Sequence, residues 1–143
     1  MISILPGVRS TTAALHAEGV RMEVISQNIA NANVTRGLDG KPYQRQQVAF
    51  ETVLDQTAGS AATGEQPQLV RVAKVQSDHR PPRLIYNPGH PDANAAGMVA
   101  TPDINIHEEM ADLIVASRSF EANLAAVKNA RTLAMQTLAI GKH

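Results

Sequence analysis

Cysteine and tryptophan are absent from this chain of 143 residues, and other aromatic residues are scarce. Without cysteine the chain forms no disulfide, no thiolate nucleophile and no zinc–thiolate site. Two phenylalanines and two tyrosines are the only aromatic side chains, so few large groups can anchor a core. The apolar share of 43% includes 22 alanines. The sequence therefore predicts a thin private interior.

Long apolar runs and a surplus of one charge sign are also missing. No apolar run approaches the roughly 20 residues needed to cross a bilayer, so no membrane span is expected. Thirteen basic and thirteen acidic side chains cancel without forming blocks, which argues against a nucleic-acid partner. The first residues, Met1–Gly7, lack a basic segment, so we expect no cleavable signal peptide. If the chain leaves the cytosol, we expect another machine to export it.

The distribution of proline predicts a long helix at each end of the chain. None of the eight prolines falls between Gly7 and Lys41 or between Asp103 and His143. We expect the first helix to end within residues 28–33, because asparagine accepts the left-handed conformation of a helix cap. Along the first helix, apolar residues recur at the seven-residue spacing that is typical of helices that pack on other helices. They are Val8, Leu15, Met22 and Ile29, with Ile4, Thr11, Ile25 and Ala32 beside them.

The C-terminal segment carries the clearer helical pattern. Asn105 followed by Glu108 resembles a capping box, and Gly141 is a plausible stop. We expect a helix of about 35 residues, on the order of 50 Å long. One heptad position holds Ile106, Leu113, Phe120, Val127 and Ala134. The position four residues later, taken as the second apolar row, holds Met110, Ser117, Leu124, Arg131 and Leu138.

The middle of the chain reads as short strands and loops. Alternating apolar residues predict strands within 43–54 and 69–75, and residues 97–102 are expected to supply one more short strand. Glycine and small polar residues predict a loop over 55–68. The prolines within 80–92 predict an extended loop, whose wider span of 77–97 has no assigned role.

These segments give a fold class that is mainly α with a small β insertion. The long N- and C-terminal helices are predicted to pair as an antiparallel coiled coil, with short strands and loops between them. Residues 1–33 and 105–143 would form the terminal helical domain, and residues 34–104 the central β and loop domain.

A catalytic or metal-dependent function has little support in the sequence. His79, His90 and Asp92, with Asp78, are the only imaginable ligand set, and their spacing matches no known metal motif. No nucleophile motif or paired acid and base carboxylates are evident, and the carboxylates of the last helix lie at its solvent-favoured start. We therefore expect no enzyme activity, no cofactor and no metal, although a hydrolase remains one alternative.

The apolar stripes favour assembly over a self-contained fold. An antiparallel helix pair covers one side of each stripe, and the polar, proline-rich middle cannot wrap the rest. We expect the stripes to pack within or between subunits, and the free termini to be largely disordered. The alternative is a chaperone or adaptor whose apolar groove holds another chain. The predicted packing residues are Val8, Leu15, Met22, Ile25, Ile29, Met110, Leu113, Phe120, Leu124 and Val127.

Five stretches resemble the axial proteins of the bacterial flagellum. Residues 25–36 (Ile-Ser-Gln-Asn-Ile-Ala-Asn-Ala-Asn-Val-Thr-Arg) resemble the signature shared by rod, hook and hook-associated subunits. Residues 42–51, 86–94 and 97–99 are closer to a rod subunit of the proximal rod. Residues 108–123 resemble the shared C-terminal helix motif. The family-motif residues in this chain are Asn28, Asn31, Asn33, Glu121 and Asn123.

This resemblance implies a structural subunit of the rod, which crosses the periplasm and transmits torque. It implies export by the flagellar type III apparatus without a cleaved signal, and an inner tube built from paired terminal helices. The implied partners are other rod subunits, copies of the chain itself and the hook–basal body adaptor at the rod base. The three asparagines would fix the exit from the first helix and bond to neighbours, or simply cap it.

Overall fold

The computed structural model describes residues 4–54 and 68–140. In chain order, one long helix precedes four strands and a second long helix follows them. The fold is mainly α with small antiparallel sheets, as predicted. Within the described ranges, no helix is long and apolar enough to cross a membrane. The elements in chain order are α1 (Ile4–Ala30), β1 (Gln46–Leu54), β2 (Gln68–Ser77), β3 (Arg83–Tyr86), β4 (Met98–Thr101) and α2 (Ile106–Ile140).

Helix α1 ends where the asparagines were expected to end it. Its last residue is Ala30, and the amide of Asn31 donates to the carbonyl of Gln27 at 3.0 Å. The Asn31 side chain donates to the same carbonyl at 2.8 Å, so the Gln27 carbonyl accepts both the amide and the side chain of Asn31. The predicted end within 28–33 is therefore confirmed, but its expected cause is wrong, because no described residue other than glycine has the positive φ of a left-handed cap.

Helix α2 begins with the predicted cap. The Asn105 side-chain oxygen accepts the amide of His107 at 3.1 Å, and its nitrogen donates to Glu108 at 3.0 Å. One polar side chain thus satisfies a free amide of the first turn and fixes the acidic residue beside it. The helix runs for 35 residues to Ile140. The predicted stop at Gly141 lies outside the described residues.

The two helices pack side by side in opposite directions. Asn28, near the end of α1, donates to Glu109 in the first turn of α2 at 3.0 Å. One to two turns earlier in α1, Arg21 lies 4.0 Å from Asp112, which is later in α2. The contacts therefore run antiparallel, and small side chains fill much of the core. Among the described residues, the buried hydrophobic side chains are Ala17, Val24, Ile25, Ala32, Val99, Ile104 and Ala116.

Strands β1 and β2 form an antiparallel pair that packs on α1. The register pairs Ala49 with Lys74 and Phe50 with Val72, so Ala73 is an extra residue in β2. This β-bulge bends the strand pair. Both strands predicted in this region are confirmed, although β1 begins three residues later than expected. Most of the predicted 55–68 loop lies outside the described residues.

Strand β3 occupies part of the segment that was predicted to be only a loop. Arg83–Tyr86 pairs antiparallel with β4, and the amide of Asn87 extends the pairing to the carbonyl of Gly97 at 2.8 Å. The loop prediction was wrong here because the prolines flank these four residues instead of interrupting them. Every amide within the strand is therefore free to pair. Strand β4 confirms the strand predicted within 97–102.

Candidate functional site

Asn28 docks the first strand onto the helix pair. It is 1% exposed, and all four hydrogen-bonding positions of its carboxamide are used. The nitrogen donates to the carbonyl of Gln46 at 2.9 Å and to Glu109 at 3.0 Å. The oxygen accepts the amide of Gln46 at 2.9 Å and the hydroxyl of Tyr43 at 3.1 Å. The Asn28 side chain thus exchanges two hydrogen bonds with the Gln46 backbone, as a residue of a neighbouring strand would.

Glu109 supplies a buried negative charge to the same place. Its side chain is 2% exposed, and Arg45 donates through Nε to Oε1 at 2.6 Å. Its other oxygen accepts from Asn28, so both carboxylate oxygens have a donor. A buried ion is tolerated when it is paired and hydrogen-bonded in this way. We call Asn28, Tyr43, Arg45 and Glu109 the polar node.

Tyr43 closes the node on the side of the loop that enters β1. Burial raises the pKa of its phenol above the ordinary value, and the negative charge of Glu109 raises the pKa further. The phenol therefore remains neutral and can donate its proton to Asn28 over a wide pH range.

A chain of alternating charges leads from the node to the protein surface. Arg45 lies 3.8 Å from the carboxylate of Asp78, which also accepts from Arg80 at 2.7 Å and from Gln47 at 2.8 Å. Arg80 in turn lies 3.5 Å from Asp103, just before α2. The hydrogen bond from Arg80 lowers the pKa of Asp78, and the same bond raises the pKa of Arg80. The segment that joins β2 to β3 is thereby tied to Arg45 before β1 and to Asp103 before α2.

The predicted packing residues fall into two groups. Ile25 is buried, and Val8, Leu15, Met22, Ile29, Leu113, Phe120 and Val127 are partly buried. Met110 and Leu124 are exposed by 51% and 37%. Their packing role therefore remains a prediction, and within the chain they do not form the second row that faces α1.

The second inward row of α2 lies three residues after the first instead of four. Glu109 and Ala116 are buried, and Asn123 and Ala130 are partly buried. A heptad seam alternates steps of three and four residues, so the position after Ile106 on the inner side is Glu109. The expectation that the carboxylates at the start of α2 face solvent was wrong for this residue.

The family-motif residues also separate. Asn28 belongs to the node and Asn31 caps α1, whereas Asn33 is exposed. On α2, Glu121 is exposed and Asn123 is partly buried on the side of Ala116. Capping alone therefore accounts for Asn31 but not for Asn28.

The imagined metal-ligand set is not brought together. Asp78 is engaged by arginines, and Asp92 accepts from Thr35 at 2.8 Å. The Nδ1 atom of His90 already accepts the amide of Asp92 at 3.1 Å, and His79 is exposed. Across residues 4–54 and 68–140, no three histidine or acidic side chains are grouped to hold a metal ion.

Comparisons with known proteins match both ends of the chain. A family model described as "Flagella basal body rod protein" matches residues 9–37. A second, described as "Flagellar basal body rod FlgEFG protein C-terminal", matches residues 95–140. Asn28 lies in the first match and Glu109 in the second, so the node joins the two.

Curated relatives match along nearly the whole length. The flagellar basal-body rod protein FlgC of Bacillus subtilis (strain 168) is 38% identical, with 92% of this chain and 94% of the relative covered. The chain belongs to the FlgC family of flagellar basal-body rod proteins. The FlgC of Yersinia enterocolitica is 37% identical, with 91% and 92% covered. The FlgC of Borreliella burgdorferi is 33% identical, with 97% and 98% covered.

Proposed function

We propose that this chain is a structural subunit of the flagellar basal-body rod and serves flagellum-dependent motility. Its relatives over nearly the full chain are rod proteins of one family. Members of this family are structural proteins, and the chain is not an enzyme. Its basic activity is to assemble with other rod components in the basal body.

The apolar surface of α2 is the observation that carries assembly through the terminal helices. Ile114 and Val115 are exposed by 57% and 54%, and Leu133 and Leu138 by 59% and 67%. Three of the buried hydrophobic side chains in the described ranges are alanines, so the private core is small. Exposed apolar surface along a helix of about 50 Å favours packing against neighbouring subunits.

The finer assignment is to the proximal rod, where the chain transmits torque across the periplasm. We propose that the helices pair as an antiparallel coiled coil and pack into an inner tube by contacts repeated around a non-closing rotation. Residues 1–33 and 105–143 would build this tube, with residues 34–104 outside it. The flagellar type III apparatus would export the chain without a cleaved signal. The neighbours would be other rod subunits, copies of the chain and the hook–basal body adaptor.

The polar node can transmit force between the central part of the chain and the two helices. Torque applied to the central part must reach the helices through the contacts that join them. Asn28 and Glu109 bind the helices to each other, Asn28 binds Gln46 of β1, and Glu109 binds Arg45 just before β1. These are directional contacts that are satisfied at only one relative orientation, which favours rigid transmission.

A pair of matched substitutions tests assembly through α2. In a strain that lacks the chain, Leu124→Asp should abolish rod incorporation and swimming, because packing against a neighbouring subunit would desolvate the new carboxylate. Leu84→Asp makes the same change at an exposed site on β3, and it should leave rods and swimming intact. Basal bodies are purified from each strain and tested for the presence of the variant chain in the rod. Normal swimming with Leu124→Asp would contradict the packing scheme.

A further inference from the structure

The strands β3 and β4, with the loop that joins them, lie apart from the other elements of the fold. We call residues 83–101 the arm. Within the described ranges, neither strand packs against a helix or against the β1–β2 pair. The base of the arm is joined to β2 through residues 78–82 and to α2 through residues 102–105. The position of the arm therefore depends on these two connections and on contacts made by the loop at its far end.

That loop, residues 87–97, is held to the two strands by its own hydrogen bonds. The Asn94 side-chain oxygen accepts the amides of Ala96 at 2.9 Å and Met98 at 3.0 Å. The amide of Asn94 donates to the carbonyl of Met98 at 2.9 Å, and the amide of Asn87 donates to the carbonyl of Gly97 at 2.8 Å. We therefore expect the strands and the loop to move as one body.

The base of the arm is fixed by charges in both connections. Arg80 donates to Asp78 at 2.7 Å and lies 3.5 Å from Asp103. Pro82 and Pro102 stand directly before β3 and directly after β4, and each restricts the backbone there. An arm that was attached only at this end could still rotate about the two connections.

Asp92 ties the far end of the arm to another segment. Two polar contacts join the loop 87–97 to the rest of the described residues, and both end on the Asp92 carboxylate. The Thr35 hydroxyl donates to Oδ2 at 2.8 Å, and the Arg36 guanidinium lies 3.7 Å from Oδ1. The amide of Asp92 donates to Nδ1 of His90 at 3.1 Å, which holds the Asp92 backbone within the loop.

The Thr35 side of this contact is anchored to the helix pair. The amide of Val34 donates to the carbonyl of Asn31, at the end of α1, at 3.1 Å. The carbonyl of Val34 accepts the amide of Tyr43 at 3.2 Å, and the Tyr43 hydroxyl donates to Asn28 at 3.1 Å. A bond from Thr35 to the arm therefore connects the arm to α1 and to the polar node.

Apolar contact does not by itself fix the angle of the arm. Val99 of β4 is 3% exposed, so the arm also buries apolar surface against the chain. Such contact resists separation but has no preferred direction. The hydrogen bond between Thr35 and Asp92 is directional and is satisfied at one orientation of the arm.

We propose that Asp92 is a positioning residue that fixes the angle between the arm and α1. When its bond to Thr35 is removed, the arm swings as one body about residues 78–82 and 102–105. The inference goes beyond the proposed function, because it concerns the conformation of the isolated chain. It holds whether or not the chain builds a rod, so its failure would leave the proposed function untouched.

Distances between two spin labels in the isolated chain test this clamp. The chain has no cysteine, so labels attach only at the cysteines that are introduced. Ser26→Cys on α1 and Ala95→Cys on the loop, both at exposed positions, report the angle of the arm. Thr35→Val removes the hydroxyl but keeps the shape of the side chain. We expect it to broaden the Ser26–Ala95 distance distribution and extend it to longer distances, and an unchanged distribution would overturn the proposal.

Conservative variants and a second label pair show whether the bond is the cause. Thr35→Ser keeps the hydroxyl and should retain the narrow distribution. Arg36→Gln removes only an ion pair whose arginine side chain is 70% exposed, and it should also retain it. Labels at Leu84 and Ala95, both within the arm, should stay at one distance in Thr35→Val. Broadening of that pair would mean that the loop loosens while no arm swings, which would refute the proposal.

Asp92→Ala is the second variant, and it should broaden the Ser26–Ala95 distances as Thr35→Val does. Labels at Ser26 and Thr52 span the polar node and serve as the reference pair. Their distance should stay narrow in both variants, because Asn28 still binds Gln46 of β1. Equal broadening of the reference pair would indicate general loss of structure instead of a released arm, and would overturn the assignment of Asp92.

Discussion

Replacing Glu109 by alanine should destabilise the junction between the helices and β1 more than any surface change nearby. The substitution removes the acceptor of Arg45 Nε at 2.6 Å and one of the two acceptors of the Asn28 side-chain nitrogen, the one at 3.0 Å. Breaking a buried ion pair by removing one partner costs about 3–5 kcal/mol. Arg45 is 20% exposed and keeps Asp78 at 3.8 Å, so we expect a loss near the lower end, about 3 kcal/mol.

Glu109→Gln separates the charge from the shape. Glutamine keeps an acceptor for Asn28 but loses the charge-assisted bond from Arg45. Bonds to charged groups contribute about 1.5–3 kcal/mol, so we expect a loss of about 2 kcal/mol. Glu108→Ala is the matched control. Glu108 is exposed and interacts with the cap residue Asn105, so its loss should be about 1 kcal/mol or less.

Tyrosine fluorescence can report this junction directly. The chain has no tryptophan and only two tyrosines, so Tyr86→Phe leaves Tyr43 as the sole fluorophore, inside the node. Urea unfolding is followed at pH 7 in this background. With a slope of about 1.5 kcal/mol per molar urea, a loss of about 3 kcal/mol lowers the midpoint by about 2 M. Equal midpoints for Glu109→Ala and Glu108→Ala would refute the assignment of Glu109 to a stabilising node.

Three further predictions concern pH and backbone conformation. Folding lowers the pKa of Asp78, so the stability that its charge contributes is present above the unfolded pKa and disappears as pH falls through the folded pKa. Asp78→Asn should therefore reduce the loss of stability in acid, measured by urea unfolding from pH 5 to 2. Because the pKa of Tyr43 is raised on folding, the free energy of unfolding should fall as pH rises above about 10. Tyr43→Phe should flatten that fall while lowering stability at pH 7. Equal slopes of unfolding free energy against alkaline pH in the two chains would contradict this. Gly97→Ala should cost about 1–2 kcal/mol in thermal unfolding, because φ is 73° and the new Cβ would lie 2.9 Å from the ring of Tyr86. Gly89→Ala, whose Cβ would come no closer than 3.9 Å to a neighbour, should cost less, and equal losses would refute the steric reason.

The helices could be predicted from sequence because their determinants are local. Proline-free segments, the seven-residue apolar spacing and the cap at Asn105 all act within a few residues. The end of α1 was predictable for the same reason, since Asn31 bonds to a carbonyl four residues before it. Strand β3 was missed because four residues between prolines carry little pattern, and its pairing with β4 depends on residues about 15 positions away.

The polar node was harder to predict because its bonds join distant parts of the chain. Asn28 and Glu109 are separated by 81 residues, and Arg45 and Glu109 by 64. One signal was available, since Glu109 lies three residues after Ile106 and four before Leu113, on the apolar stripe of α2. A charged residue at such a position predicts a buried partner, although not its identity. Nothing local to Arg45 marks it as that partner.

The central claim is that the apolar stripes of the terminal helices need neighbouring subunits to cover them. Hydrogen exchange of the isolated chain, compared with the same chain in purified rods, tests this most directly. In the free chain we expect protection near the polar node, where Asn28 and Glu109 join the helices, and weak protection toward the start of α1 and the end of α2, whereas in rods we expect strong protection along both helices. Full protection of α1 and α2 in a monomer of the isolated chain, unchanged in rods, would contradict the account.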